Sequence, residues 1–339
     1  MNRDLHYDVM KVLCQSAGFN PNDSQTIAYA CQYVDDATSP NKIVLKGFPP
    51  ARYDEFASFF DGDVFDPVQT GHEGLNYVQS IDGDDQRDVW VSFHFVPNEP
   101  FTKPSDENYV TVADGKIVND LSNRAVEEVK AARADEVRYR RKLIKLGIAL
   151  HTFADSWSHD DFYGINTKRN KKTDIQVLSN RRWIPDKKTG IKFGPVEVNV
   201  GHALCKSQDL SNARWRYRNS PNGPVITKEN ADRFLFAAEK IHQKLREASG
   251  AGEDFGAIKG DVGLALSTGA SRDVFRNFDF SYDDREWANA ARKFNAIETR
   301  NSPGRWWIYD FNGDWKWFDF QLEADDQRKF IKGLIPKRP

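Results

Sequence analysis

His151-Thr-Phe-Ala-Asp155-Ser-Trp-Ser-His159 places three metal-ligating side chains four residues apart. On an α-helix each step of four advances about 400°, so the three fan over only about 80° of one face. Imidazole and carboxylate aimed at one point form a zinc-type ligand set. The chain has seven histidines, and two of them fall in this one window. Just upstream, Leu143-Ile-Lys-Leu-Gly-Ile-Ala-Leu150 is apolar enough to be buried. It carries the polar triplet inside the protein, where unpaired polar groups are costly. The spacing therefore predicts a buried helix that bears a metal site.

The same helix is expected to begin near Ser122 as N-cap and to run to Trp157, with Glu127 and Glu128 favouring its first-turn dipole. Residues 4–18 read as helical, with Leu5, Val9, Val12 and Leu13 on one stripe. Residues 23–37 form a second helix, opened by Pro21-Asn22-Asp23 and ending in Asp35-Asp36. Further helices are expected over 228–248 and 283–295. Strand-like composition marks 42–47, 89–96 and 109–118, and Asp82-Gly-Asp-Asp reads as a loop. Residues 164–200 form a basic, turn-rich insertion. The tail holds Trp306, Trp307, Trp315 and Trp317, with Asn312-Gly313 as a hairpin turn. The result is a mostly α fold: a helical domain over 1–250 that includes the insertion, and an aromatic-rich C-terminal extension over 251–339 packed on it.

With 339 residues, 39% apolar and 29% charged, the chain can build a sizeable core and is not of disordered composition. A net charge of −2 argues neither for nor against a polyanionic partner. Cys14, Cys31 and Cys205 form no C-x-x-C pair, so neither a zinc ribbon nor a disulfide framework is indicated. The start, MNRDLHYDVMKVL, lacks a secretory pattern, and no window approaches 18 uninterrupted apolar residues. A cytoplasmic location is the expectation. Contexts for G-x-S-x-G, Walker A and G-x-G-x-x-G are missing, so acyl-serine, nucleotide-loop and dinucleotide readings lack support.

Four other places offer ligands in apolar settings. Asp4-Leu-His6 opens the first helix. Asp35-Asp36 closes the second, where two carboxylates oppose the helix dipole. His94 lies in Val91-Ser-Phe-His-Phe-Val96, and His202 in Val198-Asn-Val-Gly-His202-Ala, with Asp209 seven residues on. His72 and His242 read as structural or surface residues.

Taken together, this order of histidines and acids resembles the zinc-dependent phospholipase C and single-strand nuclease superfamily. MNRDLHY, Ala28-Tyr-Ala-Cys-Gln-Tyr-Val-Asp-Asp36, LHTFADSWSH and GHA are similar to a bacterial branch of it, over roughly residues 1–210. The resemblance implies a multi-helix bundle with small β insertions that holds two or three zinc ions. It implies that Asp35 or Asp36, with His94, His151 and Asp155, holds one zinc. His159 and His202 with Asp209 would hold a second. His6 with Asp4 would help hold a third, bridged by Asp155. Asp4 would stand in for the amino-terminal group that secreted members use, and position 206, where the acid usually falls, is Lys.

The implied activity is hydrolysis of a phosphodiester, in a phospholipid head group or a single-stranded nucleic acid, by metal-activated water. Asp35 or Asp36 would orient that water or accept its proton. Lys171, Lys172, Arg181, Arg182 and Trp183 of the basic insertion would meet substrate phosphates and stack a base. The rival reading is a metal-bearing interaction module of the same fold without turnover.

Overall fold

The computed structural model describes residues 3–39, 41–46, 48, 50–72, 82–186, 192–193, 196–197, 199–201, 205, 207–291, 304–307 and 315–337. The chain opens with a π-helical segment, Asp4–Val9, that runs directly into α1 (Met10–Ser16) and then α2 (Pro21–Asp36). Short elements follow: β1 (Ile43–Lys46), α3 (Pro50–Phe56), β2 (Phe60–Asp61), β3 (Val64–Phe65) and α4 (Gly83–Asp85). A second π-helical segment, Gln86–His94, precedes α5 (Lys116–Ala132) and α6 (Glu136–Ser158). The middle region carries β4 (Thr173–Ser179), β5 (Arg182–Pro185), β6 (Lys192–Phe193), β7 (Val196–Glu197), β8 (Arg214–Arg218) and β9 (Ile226–Glu229). The last third holds α7 (Asn230–Ser249), α8 (Lys259–Thr268), α9 (Ser271–Val274), α10 (Glu286–Ala291), β10 (Gly304–Trp307) and α11 (Lys316–Leu334). The fold is mostly α.

α6 is the central element. It packs against α2, α5, α7 and α11, and from Leu143 to Asp155 every residue is buried. Its start differs from the sequence expectation. The single helix over 122–157 is two helices, α5 and α6. Asp135 caps the second by accepting from the Arg138 amide at 3.0 Å, a competent N-cap that the charged surface pattern hid. Ser122 lies inside α5 and returns its hydroxyl to the Val118 carbonyl at 2.8 Å. Likewise, Asn20 caps α2 and Pro21 takes its first turn.

Three strand and loop expectations change. Residues 89–96 are not a strand: the Phe95 amide donates to the Trp90 carbonyl at 2.7 Å, five residues back. Val89, Trp90, Val91, Phe93, Phe95 and Val96 are all buried, and a segment buried on every side has no period that separates strand from helix. Around 109–118 only the isolated bridges Pro97–Thr111 and Val110–Tyr163 form before α5 begins. Asp82 caps a helical turn rather than a loop, accepting from the Asp84 amide at 2.9 Å. The expected hairpin at Asn312-Gly313 lies outside the described residues.

The basic insertion contributes to a four-stranded antiparallel sheet in the order β5-β4-β8-β9. Its tip is a two-residue turn in which Asn180 and Arg181 both have positive φ, 49° and 63°, the geometry that matches hairpin twist. A small second core of Trp90, Phe95, Phe162, Ile175, Trp215 and Tyr217 lies under this sheet. The main core runs through the helices and takes in Trp317, Phe318 and Phe320 of α11, so the C-terminal segment packs on the helical part. Gln327 of α11 donates to Thr152 Oγ1 at 2.8 Å and to the Ser92 carbonyl at 3.0 Å. It thereby ties α11 to the segments that carry His94 and His151. Among the described residues no helix is long and apolar enough to cross a membrane.

Candidate metal centre

Two helices present the same device. Cys31 and Asp35 on α2, and His151 and Asp155 on α6, are each four residues apart and so share a helix face. The two π-helical segments add His6 and His94. Such widened turns recur at functional sites, because they re-aim side chains out of the regular helical spacing.

Asp155 is at the centre and fully buried. Its Oδ1 lies 3.0 Å from His6 Nε2. Its Oδ2 lies 3.0 Å from His94 Nδ1, 3.3 Å from His151 Nε2 and 3.5 Å from His159 Nδ1. Asp35 Oδ1 is 3.8 Å from both His94 Nδ1 and His151 Nε2, and those two nitrogens are 3.2 Å apart. On the far side, Asp209 Oδ1 lies 3.5 Å from His159 Nε2. The sequence-derived residues His6, Asp35, His94, His151, Asp155, His159 and Asp209 thus fall in one continuous cluster. His202 lies outside the described residues.

Hydrogen bonds to the backbone fix two of the rings. His94 Nε2 lies 2.8 Å from the Thr70 carbonyl, and His159 Nδ1 lies 2.8 Å from the carbonyl of His94 itself. A carbonyl oxygen only accepts, so both of these nitrogens carry the hydrogen. In a neutral ring the other nitrogen is then a lone pair. For His94 that lone pair faces Asp155 and Asp35; for His159 it faces Asp209. A lone pair aimed at a carboxylate is repulsive unless a proton or a metal cation lies between them. An imidazole whose other nitrogen donates to a backbone carbonyl is the usual arrangement of a metal-bound histidine.

Electrostatics point the same way. Burial pushes the His6 and His151 rings down to about 4, so both are neutral near pH 7 and suited to bind a cation. Burial is the largest single influence on His94 and works against its charged form, but the hydrogen bond and charge of Asp155, the charge of Asp35 and the Thr70 carbonyl together outweigh it and raise the ring overall. Burial alone would raise the Asp155 carboxyl; the His159 and His151 rings beside it hold it well below the usual carboxylate range. His94 can therefore take the balancing proton in the metal-free chain. Asp35, His94 and His151 form one group able to hold a metal ion, and His6, Cys31 and His151 form another.

The cluster is deep. His6, His151 and Asp155 have no exposed surface, whereas the side chains of Asp35 and Asp209 are 31% and 29% exposed. These two carboxylates are its solvent-facing members.

The remaining candidates are placed differently. Asp36 turns to the other side of α2, where its Oδ2 accepts from Tyr282 and, at 3.2 Å, from Gln32. Burial raises its carboxyl to about 6. Asp4 accepts from the Ser271 hydroxyl at 3.3 Å. Lys172 is buried: its ammonium donates to the Asp161 carbonyl at 2.7 Å and to Asn219 Oδ1 at 2.6 Å, over the Phe162 ring. That is an internal anchor, not a solvated substrate contact. Lys171 is half-buried, and Arg181 and Arg182 are exposed at the hairpin tip. One face of Trp183 is occupied by the Arg216 guanidinium, 4.2 Å from the ring centre.

Several contributors escaped the sequence reading. The Asn230 amide donates to the carbonyls of Ser207, Gln208 and Leu210 at 3.1, 2.9 and 2.8 Å. With Gln208 donating to the Ser158 carbonyl at 2.7 Å, it shapes the turn, not a regular helix, that sets Asp209 beside His159. Phe95 stacks on His159 with ring centres 4.1 Å apart, and Gly201, at φ 55°, lets the backbone lie flat against the same ring. Cys31, the last of them, had a usable signal: Cys31-x-x-x-Asp35 repeats the spacing of His151-x-x-x-Asp155.

Fold and site together define a mostly helical protein with a buried histidine–carboxylate cluster able to hold metal. The chain belongs to the family of unknown function DUF6765, which it matches over residues 1–335. No curated protein and no solved structure matches it.

Proposed function

We propose that this protein is a zinc-dependent phosphodiesterase. The observation that carries the reading is the pair of carbonyl-anchored rings, His94 and His159, whose remaining nitrogens face carboxylates inside the protein. Nitrogen and carboxylate oxygen without a wholly thiolate set suit zinc. Asp35, His94, His151 and Asp155 would hold one ion. His159 and Asp209, joined by His202, would hold another, and His6 with the Oδ1 edge of Asp155 a further one. Zinc supplies an acidified water and stabilises charge developing on a phosphoryl oxygen.

The residues themselves supply position and proton handling. Asp155 offers its two oxygens to different rings and so sets the spacing of the cluster. The Thr70 and His94 carbonyls hold the two anchored rings in one tautomer. Asp35 and Asp209, the carboxylates at the solvent-facing edge, are where an anionic diester must approach. Asp35 would orient the attacking water and take its proton, since Asp36 is engaged by Tyr282 on the other side of α2.

The depth of the cluster favours a second reading, a metal-stabilised interaction module without turnover. The two readings separate in one experiment. Protein expressed with added zinc is analysed for metal, then assayed on a panel of phosphodiesters and phospholipids with and without chelator. The proposed function expects at least two zinc ions per chain and chelator-sensitive hydrolysis. It also expects Asp155→Asn to lose both metal and thermal stability. Full occupancy without turnover on any diester would favour the module, and less than one metal per chain would overturn both.

A further inference from the structure

Cys31 is the one cluster member that composition does not explain as a zinc-enzyme carboxylate or imidazole. It sits on the inner face of α2, fully buried. Its Sγ is 3.6 Å from His6 Nδ1. His6, in turn, stacks on His151 with ring centres 4.1 Å apart. One ligand atom from each of His6, Cys31 and His151 lies within 4.8 Å of the other two. Burial without a role would leave this cysteine as a small apolar filler, as Cys14 is among the core residues.

Three observations separate it from a filler. First, the His151 Nε2 atom belongs to the Asp35–His94 side of the cluster, while its other ring nitrogen, Nδ1, is buried and has no hydrogen-bond partner among the described residues. A buried ring nitrogen left without a partner is costly and calls for one. Second, the two oxygens of Asp155 divide the same way. Oδ1 faces His6, and Oδ2 faces His94 and His151. Third, Cys31 and Asp35 lie on one face of α2 and serve the two sides respectively, as helix spacing of four requires.

We infer that Cys31 is a metal ligand, and that with His6 and His151 it forms a thiolate–imidazole site distinct from the carboxylate–imidazole site of Asp35, His94 and His151. Asp155 lies beside both: its Oδ2 faces the carboxylate–imidazole side, and its Oδ1 meets His6 Nε2, the ring nitrogen away from the sulfur. This inference rests on the proposed metal-binding reading and deepens it, because it makes the two sites chemically unlike. A soft thiolate favours zinc or a softer cation, whereas carboxylate and imidazole also accept harder divalent ions. On binding, the thiol gives up its proton to solvent as the sulfur–metal bond forms, and with both sites filled His151 also releases its ring proton to solvent and bridges the two ions as an imidazolate.

Cobalt reports thiolate ligation directly. The full-length protein, stripped with chelator and reloaded with Co²⁺, should show a near-ultraviolet sulfur-to-cobalt charge-transfer absorption. Cys31→Ser should abolish it and lose one bound ion, while Cys14→Ser and Cys205→Ser keep it. Circular dichroism and the melting temperature check that each variant is folded. Cys31→Asp, which returns a ligand without sulfur, should keep the ion and lose the absorption. If the native chain fills with cobalt yet shows no such absorption, or if the absorption survives in Cys31→Ser, the thiolate site is wrong and the broader reading stands. If the native chain takes up no cobalt at all, both are wrong. Should the Cys31 variants fail to fold, alkylation of the native protein in urea just below its unfolding midpoint, where buried thiols become reachable, decides: metal must slow the labelling of Cys31 more than that of Cys14, and equal slowing of the two would overturn the inference.

Discussion

Gly147 faces Ala30 across the crossing of α2 and α6, and a Cβ on Gly147 would lie 2.7 Å from that of Ala30. The Ile27 carbonyl is closer still. The two helices that carry Cys31, Asp35, His151 and Asp155 therefore touch backbone to backbone, one turn before the cluster. Replacing glycine by alanine inside a helix ordinarily gains about 1 kcal/mol. Here the clash is with main chain, which cannot swing aside, so overpacking should win. Gly147→Ala is expected to cost about 1–3 kcal/mol in chemical denaturation, and to weaken zinc retention during dialysis. A variant as stable as the parent would show that the helices can part without strain.

The paired carboxylates of α2 should behave as opposites. Asp35→Asn is expected to lose metal. Asp36→Asn should keep it, since Tyr282 and Gln32 occupy that side chain. Asp36 also has a pH signature. Its folded value is raised to about 6 from an ordinary 3.8, so its contribution is present below about pH 4 and lost as pH rises through 6. The asparagine variant avoids that loss. Relative to the parent it should gain up to about 2 kcal/mol between pH 4 and 7, read from melting curves across that range. A difference that does not change with pH would contradict the burial cause.

The basic residues of the insertion should separate into structure and surface. Lys172→Glu sets an anion among Asp161, Phe162 and Tyr217 in place of a paired ammonium. A loss of roughly 3–5 kcal/mol is expected, the scale for breaking a buried ion pair. Arg181→Glu and Arg182→Glu, at the exposed tip, should change stability by no more than about 0.5 kcal/mol. Their binding to anionic vesicles or single-stranded nucleic acid, compared at low salt, then tests the surface role free of misfolding.

The metal-free chain should be acid-sensitive in a particular window. His6 and His151 titrate near 4 in the fold against 6.5 when exposed. Below 6.5 the unfolded chain takes up protons that the folded chain refuses. The stability they contribute is therefore present above 6.5 and lost as pH falls toward 4, by up to about 3 kcal/mol for each ring. Urea denaturation with chelator present, at pH 7 and pH 5, measures it. Zinc should protect the fold at pH 5, because the bound form of each ring is the neutral one. Equal stability of the stripped chain at both pH values would contradict the neutral, buried placement of the two rings.

Local spacing already determined the alignment of His151, Asp155 and His159 on one buried helix face, since a period of four and an apolar run are properties of neighbouring residues. The same logic located α2, α7 and the strand β1. It did not separate Asp35 from Asp36, because adjacent residues on a helix differ by about 100° and only the packing of α2 against α6 decides which turns inward. It passed over Cys31, whose spacing to Asp35 was visible but whose partner His6 comes from another segment. It read the His94 segment as a strand because burial on all sides erases the period. The tautomers of His94 and His159 were likewise beyond it. They depend on the Thr70 and His94 carbonyls, brought up from 24 and 65 residues away, and the approach of Asp209 to His159 depends on the amide of Asn230. Contacts of that kind are made only when the whole chain closes on its core, and they turn a ligand-bearing helix into a cluster able to hold metal.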